Sequence, residues 1–330
     1  MEESKARKLL VDTGRELLET GLVARTWGNV SCRLDADSFV ITPSGLDYTK
    51  TGEEDIVKMN LETGEWQGIH KPSGERRVHM AAFQVFSEVN FVIHTHQTYA
   101  TALGLAGFQH LDITKEEKEK LGGIMLADYG LPGMKKLTNA VKTALQTGAK
   151  VVLMTHHGAL ICGATQEEAM SKAILLEKIC KRNIKGSFEV TQGTRTNEAE
   201  AQLSAVREKF QYAALVQTPA ALTCANNGIP IFAQVDDMAQ MIGRKISVVS
   251  GKTEKIINAL KKVNAVLVPG VGALVRSESE DDMIALGLLV DKSAVCSIHT
   301  AASNVKARIN IAHVALMRLV YQKKYSKQKN

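Results

Sequence analysis

Apolar and polar residues alternate in two different periods over the first 185 residues of the chain. Apolar positions recur every three or four residues over about residues 3–20, after Glu75, and over about residues 135–147, which predicts amphipathic helices there. A further long helix is predicted after Thr165, because Thr165 and Glu168 have the spacing of a capping box. Short apolar runs predict buried strands at residues 39–41, 91–96, 151–154 and 159–162.

Several of these strands follow one another through turns without an intervening helix. One turn enters a strand at Thr26–Ser31, and another follows a strand at Thr42–Gly45. This arrangement predicts an α/β fold with a mixed or antiparallel sheet, because a doubly wound parallel sheet needs a helix between consecutive strands.

The pattern is interrupted between residues 186 and 200, where Gly, Ser, Thr and Asn are frequent. Such a composition is typical of a linker. The chain has 330 residues, which exceeds what a single hydrophobic core usually serves. We therefore predict two domains, residues 1–188 and residues 198–330.

The second domain echoes part of the first. The segment Leu153–Leu160 resembles Leu267–Leu274, and each segment is followed by a capped helix. The strand at 91–96 resembles residues 215–219, with Val216 and Thr218 at the positions of His94 and His96 and Val271 at the position of His157. We interpret residues 198–330 as a degenerate, truncated repeat, although a chance resemblance is the alternative.

Composition is that of an ordinary globular chain, with 45% apolar and 23% charged residues and a net charge of +6. The five scattered cysteines are expected to be buried free thiols in a reducing cytoplasm. The charged N-terminus does not resemble a signal peptide, and no apolar run is expected to span a membrane. The basic tail at residues 322–329 lacks the stacking aromatics of a nucleic-acid interface.

The candidate chemistry begins with two histidines at the end of a predicted strand. Residues two apart on a strand share a face, so His94 and His96 are expected to lie side by side. Glu75 upstream and the pair His156 and His157 downstream offer further ligands. Three imidazoles and one carboxylate suit Zn²⁺, and strand alternation allows only one histidine of the second pair to reach it.

Six motifs occur in order along the chain. They are TxGNxS at Thr26–Ser31, TPSGLDY at Thr42–Tyr48, EDIV at Glu54–Val57, PSxE at Pro72–Glu75, HTH at His94–His96 and HHG at His156–Gly158. Together they resemble the class II aldolase/adducin family over about residues 5–185. The resemblance implies an α/β/α sandwich with a central mixed, mainly antiparallel sheet, here followed by the degenerate partial repeat.

The resemblance also implies site residues. One Zn²⁺ per chain, or another divalent metal, is expected on Glu75, His94, His96 and His157. A substrate phosphate is expected at the three turns, on Gly28, Asn29, Ser44, Gly45, Ser73 and the backbone of Gly74. Such turns suit a phosphate because unpaired backbone N–H groups and short hydroxyls can cradle an oxyanion.

The implied reaction is cleavage of a ketose 1-phosphate, similar to fuculose or ribulose phosphate, to dihydroxyacetone phosphate and an aldehyde through a metal-stabilised enediolate. Glu75 is the expected proton acceptor. The alternatives within the family are a sugar-phosphate 4-epimerase, a dehydratase and a decarboxylase. A non-catalytic adducin-like interaction protein and an inactive paralogue remain further alternatives, although the retained zinc histidines argue against the former.

Two departures from the family pattern affect these expectations. Gly74 stands where the family usually has a serine, so one hydroxyl of the phosphate pocket is missing. The segment 108–116 holds no tyrosine to act as the acid, which leaves Tyr129 as the local candidate and Tyr212 and His299 of the second domain as others. Packing beside Phe210 is the ordinary interpretation of Tyr212, and a surface position that of His299.

The resemblance finally implies assembly. Members of the family are commonly cyclic tetramers with active sites between subunits. A chain with one functional and one degenerate repeat is therefore expected to form a homo-oligomer in which two chains build a ring with pseudo-fourfold symmetry.

Overall fold

The computed structural model describes residues 1–108, 110–188 and 197–324. The chain divides into two compact units, Met1–Asn183 and Ile184–Asn330. Most of the predicted linker and of the basic tail lie outside the described residues, as does Gln109 in the segment searched for a tyrosine. The predicted domain limits therefore stay a prediction.

The N-terminal unit contains one eight-stranded sheet with helices on both faces. Its strands are β1 (Asn29–Arg33), β2 (Ser38–Ile41), β3 (Val57–Asn60), β4 (Trp66–Gln67), β5 (Phe91–Thr95), β6 (Ile124–Ala127), β7 (Val151–Met154) and β8 (Gly158–Gly163). Its helices are α1 (Glu3–Glu19), α2 (Arg76–Val85), α3 (Thr98–Ala106), α4 (Lys115–Leu121), α5 (Lys135–Leu145) and α6 (Gln166–Arg182), with a short 3₁₀ helix at Glu53–Asp55.

The strand order is β4-β3-β2-β1-β5-β8-β7-β6. Every neighbouring pair is antiparallel except β6 and β7, which are parallel. The expected mixed, mainly antiparallel sheet is thus confirmed. Strand β5 lies in the middle of the sheet between β1 and β8, where both of its edges are hydrogen-bonded.

Side chains of the central strands alternate between two hydrophobic cores, one on each face of the sheet. In β5, Phe91 and Ile93 join the core under α1, α3 and α6, whereas Val92 joins the core under α2 and α5. Because side chains on a strand alternate between faces, His94 shares the face of Val92 and is directed towards α2. The sandwich of helix, sheet and helix follows from this period of two.

Five short elements of this unit were not predicted from the sequence, namely β3, β4, β6, α4 and the 3₁₀ helix at Glu53–Asp55. Strand β6 has only one fully buried residue, Ala127, so its apolar run resembled a loop. Helix α4 carries a clear start signal, because the Thr114 side chain accepts a hydrogen bond from the Glu117 N–H. Its single buried residue, Leu121, left no apolar stripe to recognise.

The C-terminal unit contains a five-stranded sheet in the order β10-β11-β12-β13-β9. Its strands are β9 (Tyr212–Val216), β10 (Ile231–Phe232), β11 (Lys245–Val248), β12 (Ala265–Val268) and β13 (Gly272–Ser277). Its helices are α7 (Asn197–Arg207), α8 (Pro219–Asn226), α9 (Asp236–Met241), α10 (Thr253–Leu260), α11 (Glu280–Ala302) and α12 (Ile311–Lys324).

Four strands of this sheet repeat an arrangement of the N-terminal unit. The order β9-β13-β12-β11 has the same succession of antiparallel, antiparallel and parallel pairs as β5-β8-β7-β6. The N-caps of the following helices also match, because Thr165 accepts from the Glu168 N–H and Ser279 accepts from the Asp282 N–H. No described strand corresponds to β1–β4, since β9 lies at the edge of its sheet.

The strand register corrects the predicted alignment of the repeat by one residue. Ala159 pairs with Thr95, and the matching Ala273 pairs with Val216. The residue at the position of His94 is therefore Leu215, not Val216. By the same count Gln217, not Thr218, stands at the position of His96.

Helix α11 has the length and composition of a membrane-crossing helix, so the expectation that no segment could span a bilayer is wrong on those criteria. However, 67% of its most apolar window is buried within the protein. That burial is usual for the core helix of a folded unit. All five cysteines are buried and free, as expected.

Gly28 leads into β1 at a point where that strand lies against β5. Its φ is +84°, and an added Cβ would lie 2.5 Å from the backbone oxygen of His94. Gly21 also has a positive φ, of +69°, but an added Cβ there meets nothing within 4 Å. Substitution at Gly21 therefore tests the cost of a left-handed backbone alone. Substitution at Gly28 tests that cost together with the cost of a steric overlap.

We expect Gly21→Ala to destabilise the N-terminal unit by roughly 1 kcal/mol, because alanine must adopt a left-handed conformation. Gly28→Ala should cost more than about 2 kcal/mol, because β1 must also move away from β5. Urea unfolding followed by tryptophan fluorescence reports this unit, since both tryptophans, Trp27 and Trp66, belong to it. Equal losses for the two variants would contradict the overlap.

Candidate metal centre

The end of β5 carries the first two candidate ligands. His94 is completely buried, and its register partners are Asn29 in β1 and Leu160 in β8. His96 follows the end of the strand and is half-buried. The two imidazole centroids lie 4.7 Å apart, as expected for residues two apart on one face.

The third imidazole comes from the turn between β7 and β8. His157 is buried, and its ring centroid lies 4.9 Å from those of both His94 and His96. The predicted strand alternation is not the reason for this choice, because Thr155–His157 form a turn. Instead, His156 adopts a left-handed backbone with φ of +69°, which directs the two histidines apart.

Glu75 precedes the first turn of α2 and completes the cluster. Its Oε2 lies 3.0 Å from Nε2 of His94, and its Oε1 lies 2.5 Å from Nε2 of His157. One ligand atom from each of Glu75, His94, His96 and His157 falls within 4.8 Å of the others. The structure thus brings together all four residues predicted as metal ligands.

The donor atoms of this cluster suit a cation. Nδ1 of His94 lies 2.8 Å from the backbone oxygen of Ala159, to which it must donate a proton. In the neutral ring, Nε2 then presents a lone pair to a carboxylate oxygen of Glu75. Two such atoms attract each other only across a cation, so the site fits a divalent metal held by nitrogen and oxygen ligands.

The charge state of Glu75 agrees with this arrangement. Burial alone raises the pKa of the Glu75 carboxyl, but positive charge at the adjacent His157 and His94 outweighs it and holds that pKa well below its usual value. The carboxylate is therefore ionised at neutral pH. An ionised oxygen is what both metal coordination and proton acceptance require.

Two of the turns predicted to bind phosphate lie side by side. Pro43 and Pro72 form an antiparallel bridge, the Ser44 N–H donates to Lys71 O at 2.9 Å, and the Ser73 N–H donates to Thr42 O at 3.2 Å. The hydroxyl of Ser73 accepts from the Glu75 N–H at 3.2 Å. These two turns and the cluster of candidate metal ligands are therefore joined through a single short segment, and the phosphate role of the turns stays a prediction.

Other predicted site residues are placed as follows. The side chain of Asn29 faces Glu75, to whose Oε2 its Nδ2 donates at 3.3 Å, and its phosphate role stays a prediction. The ring of Tyr129 contacts the ring of His156 edge-on, with centroids 4.8 Å apart. Tyr129 thus contacts the residue that precedes His157 in the turn.

The two candidate proton donors of the second domain, His299 and Tyr212, differ in burial and in hydrogen-bond partner. His299 is buried, not a surface residue as expected, and its Nδ1 accepts the Lys185 N–H at 2.8 Å. Tyr212 is half-buried on β9, and its hydroxyl accepts from Gln211 Nε2 at 3.3 Å. Their assignment as candidate donors stays a prediction.

Three residues around the cluster were missed by the sequence analysis. Ser31 and His79 are completely buried and hydrogen-bonded to each other at 2.6 Å. The ring of Trp27 stacks on that of His96 with centroids 6.4 Å apart. The spacing of Glu75 and His79, one helical turn apart, was the available signal for His79.

Known proteins resemble this chain in sequence. Residues 8–184 match the family described as Class II Aldolase and Adducin N-terminal domain. An L-fuculose phosphate aldolase of Escherichia coli O6:H1 is 32% identical over 213 residues, which cover 64% of this chain and 96% of that protein. An L-ribulose-5-phosphate 4-epimerase of Salmonella paratyphi C is 27% identical, covering 54% of this chain and 83% of that protein.

The same likeness extends to solved structures and to a third type of reaction. An L-fuculose 1-phosphate aldolase structure is 29% identical with a TM-score of 0.51, covering 55% of this chain and 86% of that one. A relative named as a 3-oxo-tetronate 4-phosphate decarboxylase also matches. The family match spans more than half of this chain, and the chain therefore belongs to the class II aldolase/adducin family.

Proposed function

We propose that the protein is a zinc-dependent aldolase that cleaves a ketose 1-phosphate, similar to fuculose or ribulose phosphate, to dihydroxyacetone phosphate and an aldehyde. The observation that carries the proposal is the cluster of Glu75, His94, His96 and His157 within 4.8 Å. A bound divalent ion supplies Lewis-acid stabilisation to the enediolate that develops when the carbon–carbon bond breaks.

Glu75 is the proposed proton acceptor. Its carboxylate is ionised and lies at the edge of the cluster, with its side chain 14% exposed. A ketose hydroxyl bound beside the three imidazoles comes within reach of one of its oxygens. Transfer of the hydroxyl proton to Glu75 starts the retro-aldol cleavage.

Tyr129 is the proposed proton donor to the carbanion that the cleavage leaves. Its ring is half-buried and is held against His156 in the turn that carries His157. A phenol near the reacting carbon can protonate it without introducing a permanent charge.

The substrate phosphate is proposed to bind at Gly28, Asn29, Ser44, Gly45, Ser73 and Gly74. Gly45 has a φ of +77°, a backbone conformation that residues with a side chain rarely adopt. Gly74 is exposed and offers its N–H in place of the missing hydroxyl. Ser73 links this pocket to Glu75, which fixes the distance between phosphate and base.

The first prediction concerns metal content. Metal-replete protein should hold about one divalent ion per chain, most of it zinc, because one cluster of this kind is found among the described residues. His157→Ala should lose the ion, whereas the matched His156→Ala should keep it. Elemental analysis after dialysis measures this, and the reverse result for the two variants would overturn the assignment.

The second prediction concerns the reaction. Metal-replete protein should release dihydroxyacetone phosphate from at least one ketose 1-phosphate in a coupled reductase assay. Removal of the metal with a chelator should abolish the release, and added zinc should restore it. Epimerisation of a pentulose 5-phosphate or carbon dioxide release, without dihydroxyacetone phosphate, would instead establish one of the other reactions found among the relatives.

The third prediction concerns Tyr129. Tyr129→Phe should lower kcat by about 100-fold while metal content and KM change little, because only proton donation is removed. His156→Phe keeps an aromatic edge against Tyr129 and serves as the matched control, with kcat within about fivefold of the wild type. An unchanged kcat for Tyr129→Phe would assign the donor to another group.

We also propose that two chains form the functional assembly. The support is the repeated strand order of the C-terminal unit, which suits a ring of alternating related units. Light scattering should give twice the chain mass of 35.9 kDa at micromolar concentration. A monomer under these conditions would contradict the proposal.

A further inference from the structure

A chain of buried polar side chains leads away from Glu75 into the core of the N-terminal unit. Asn29 and Ser31 are two apart on β1 and share the face that packs towards α2. Glu75, at the N-cap of α2, and His79, within that helix, are one helical turn apart. The hydrogen bonds run from Ser31 to His79 at 2.6 Å, from His79 to Asn29, and from Asn29 to Glu75 at 3.3 Å.

The direction of every hydrogen bond in this chain can be worked out from its end. A carboxylate only accepts, so the Nδ2 group of Asn29 donates to Glu75 and its Oδ1 is turned towards His79. Nε2 of His79 must then carry a proton. A neutral imidazole has one N–H, so Nδ1 of His79 accepts from the hydroxyl of Ser31.

His79 remains neutral at the pH of a cell. Its side chain is completely buried, and burial lowers the pKa of His79 to about 3. All three donors therefore point the same way, from the core towards the carboxylate. Reversing any one bond would place two acceptors against each other.

We propose that His79 is a positioning residue that acts through Asn29 to fix the carboxylate of Glu75. Ser31 fixes the tautomer of His79, His79 fixes the amide of Asn29, and Asn29 holds Oε2 of Glu75. Oε2 is then oriented towards His94 and Oε1 towards His157. This inference rests on the proposed function only in taking Glu75 as the metal ligand and base.

The mechanism assigns different consequences to two substitutions of the same histidine. His79→Phe fills the space but removes both nitrogens, so the amide of Asn29 loses its anchor. His79→Gln places an amide N–H near the former Nε2 and can still donate to Asn29. A purely structural role would penalise glutamine more than phenylalanine, because the site is completely buried.

The test measures zinc affinity by chelator competition on the full chain, together with kcat, KM and thermal stability. His79→Phe should weaken zinc binding and lower kcat/KM by about 10-fold to 100-fold, as expected when the group that orients a ligand is removed. His79→Gln should stay within about threefold of the wild type for both quantities.

His299→Phe is the matched control. His299 is also buried and also uses Nδ1 as an acceptor, from the Lys185 N–H, but it lies in the C-terminal unit. This variant should lose thermal stability and keep the zinc affinity of the wild type. A folded His79→Phe variant with zinc affinity and kcat/KM within about twofold of the wild type would overturn the proposal.

Ser31→Ala carries the test if His79→Phe does not fold. Loss of the hydroxyl frees His79 to change its tautomer, so zinc affinity should fall by at least about threefold. Unchanged zinc affinity in Ser31→Ala would overturn the proposal that the hydrogen bonds from Ser31 through His79 and Asn29 position Glu75. Zinc titration needs no sugar phosphate, so a protein that binds zinc and releases no dihydroxyacetone phosphate would refute the aldolase proposal while leaving this test valid.

Discussion

The close packing of β5 between β1 and β8 is the constraint on which the site depends. Gly28 meets the backbone oxygen of His94 on one side, and an added Cβ on Gly158 would lie 2.1 Å from the backbone oxygen of Thr95 on the other. Only glycine permits both approaches. The glycines of two of the motifs, TxGNxS and HHG, thereby bring the candidate ligands of separate segments into one cluster.

Burial then determines how that cluster behaves electrostatically. His94, His157 and the Oε1 atom of Glu75 are buried, in a region where an isolated charge is costly. The cluster meets this cost by surrounding Glu75 with partners, namely His94, His157 and Asn29. The imidazoles and the carboxylate of the cluster therefore stabilise one another. Loss of one of these groups leaves the others buried without a partner, at the full cost of desolvation.

The fold class and the family could be predicted because both depend on local features of the sequence. The fold class follows from the periodicity of apolar residues, and the family follows from short motifs. The period of two in β5 and the start signal at Thr165 are examples, and the structure confirms the helix and the strand. The register of the repeat was wrong by one residue because Leu215 and Val216 are both apolar, so the pattern cannot distinguish them. The left-handed backbone of His156 and the hydrogen bonds of His79 with Ser31 and Asn29 depend on contacts between distant segments. No local pattern contains information on such contacts.

The corrected register of the C-terminal unit has a consequence for protein engineering. It identifies Leu215, Gln217 and Val271 as the positions that correspond to His94, His96 and His157. The side chain of Gln217 already donates to the backbone oxygen of Val271 at 2.9 Å, so β9 and the turn before β13 are in direct contact. Three histidine substitutions would place an imidazole triad in a scaffold with the same strand order, and the absent carboxylate would leave one coordination position without a protein ligand.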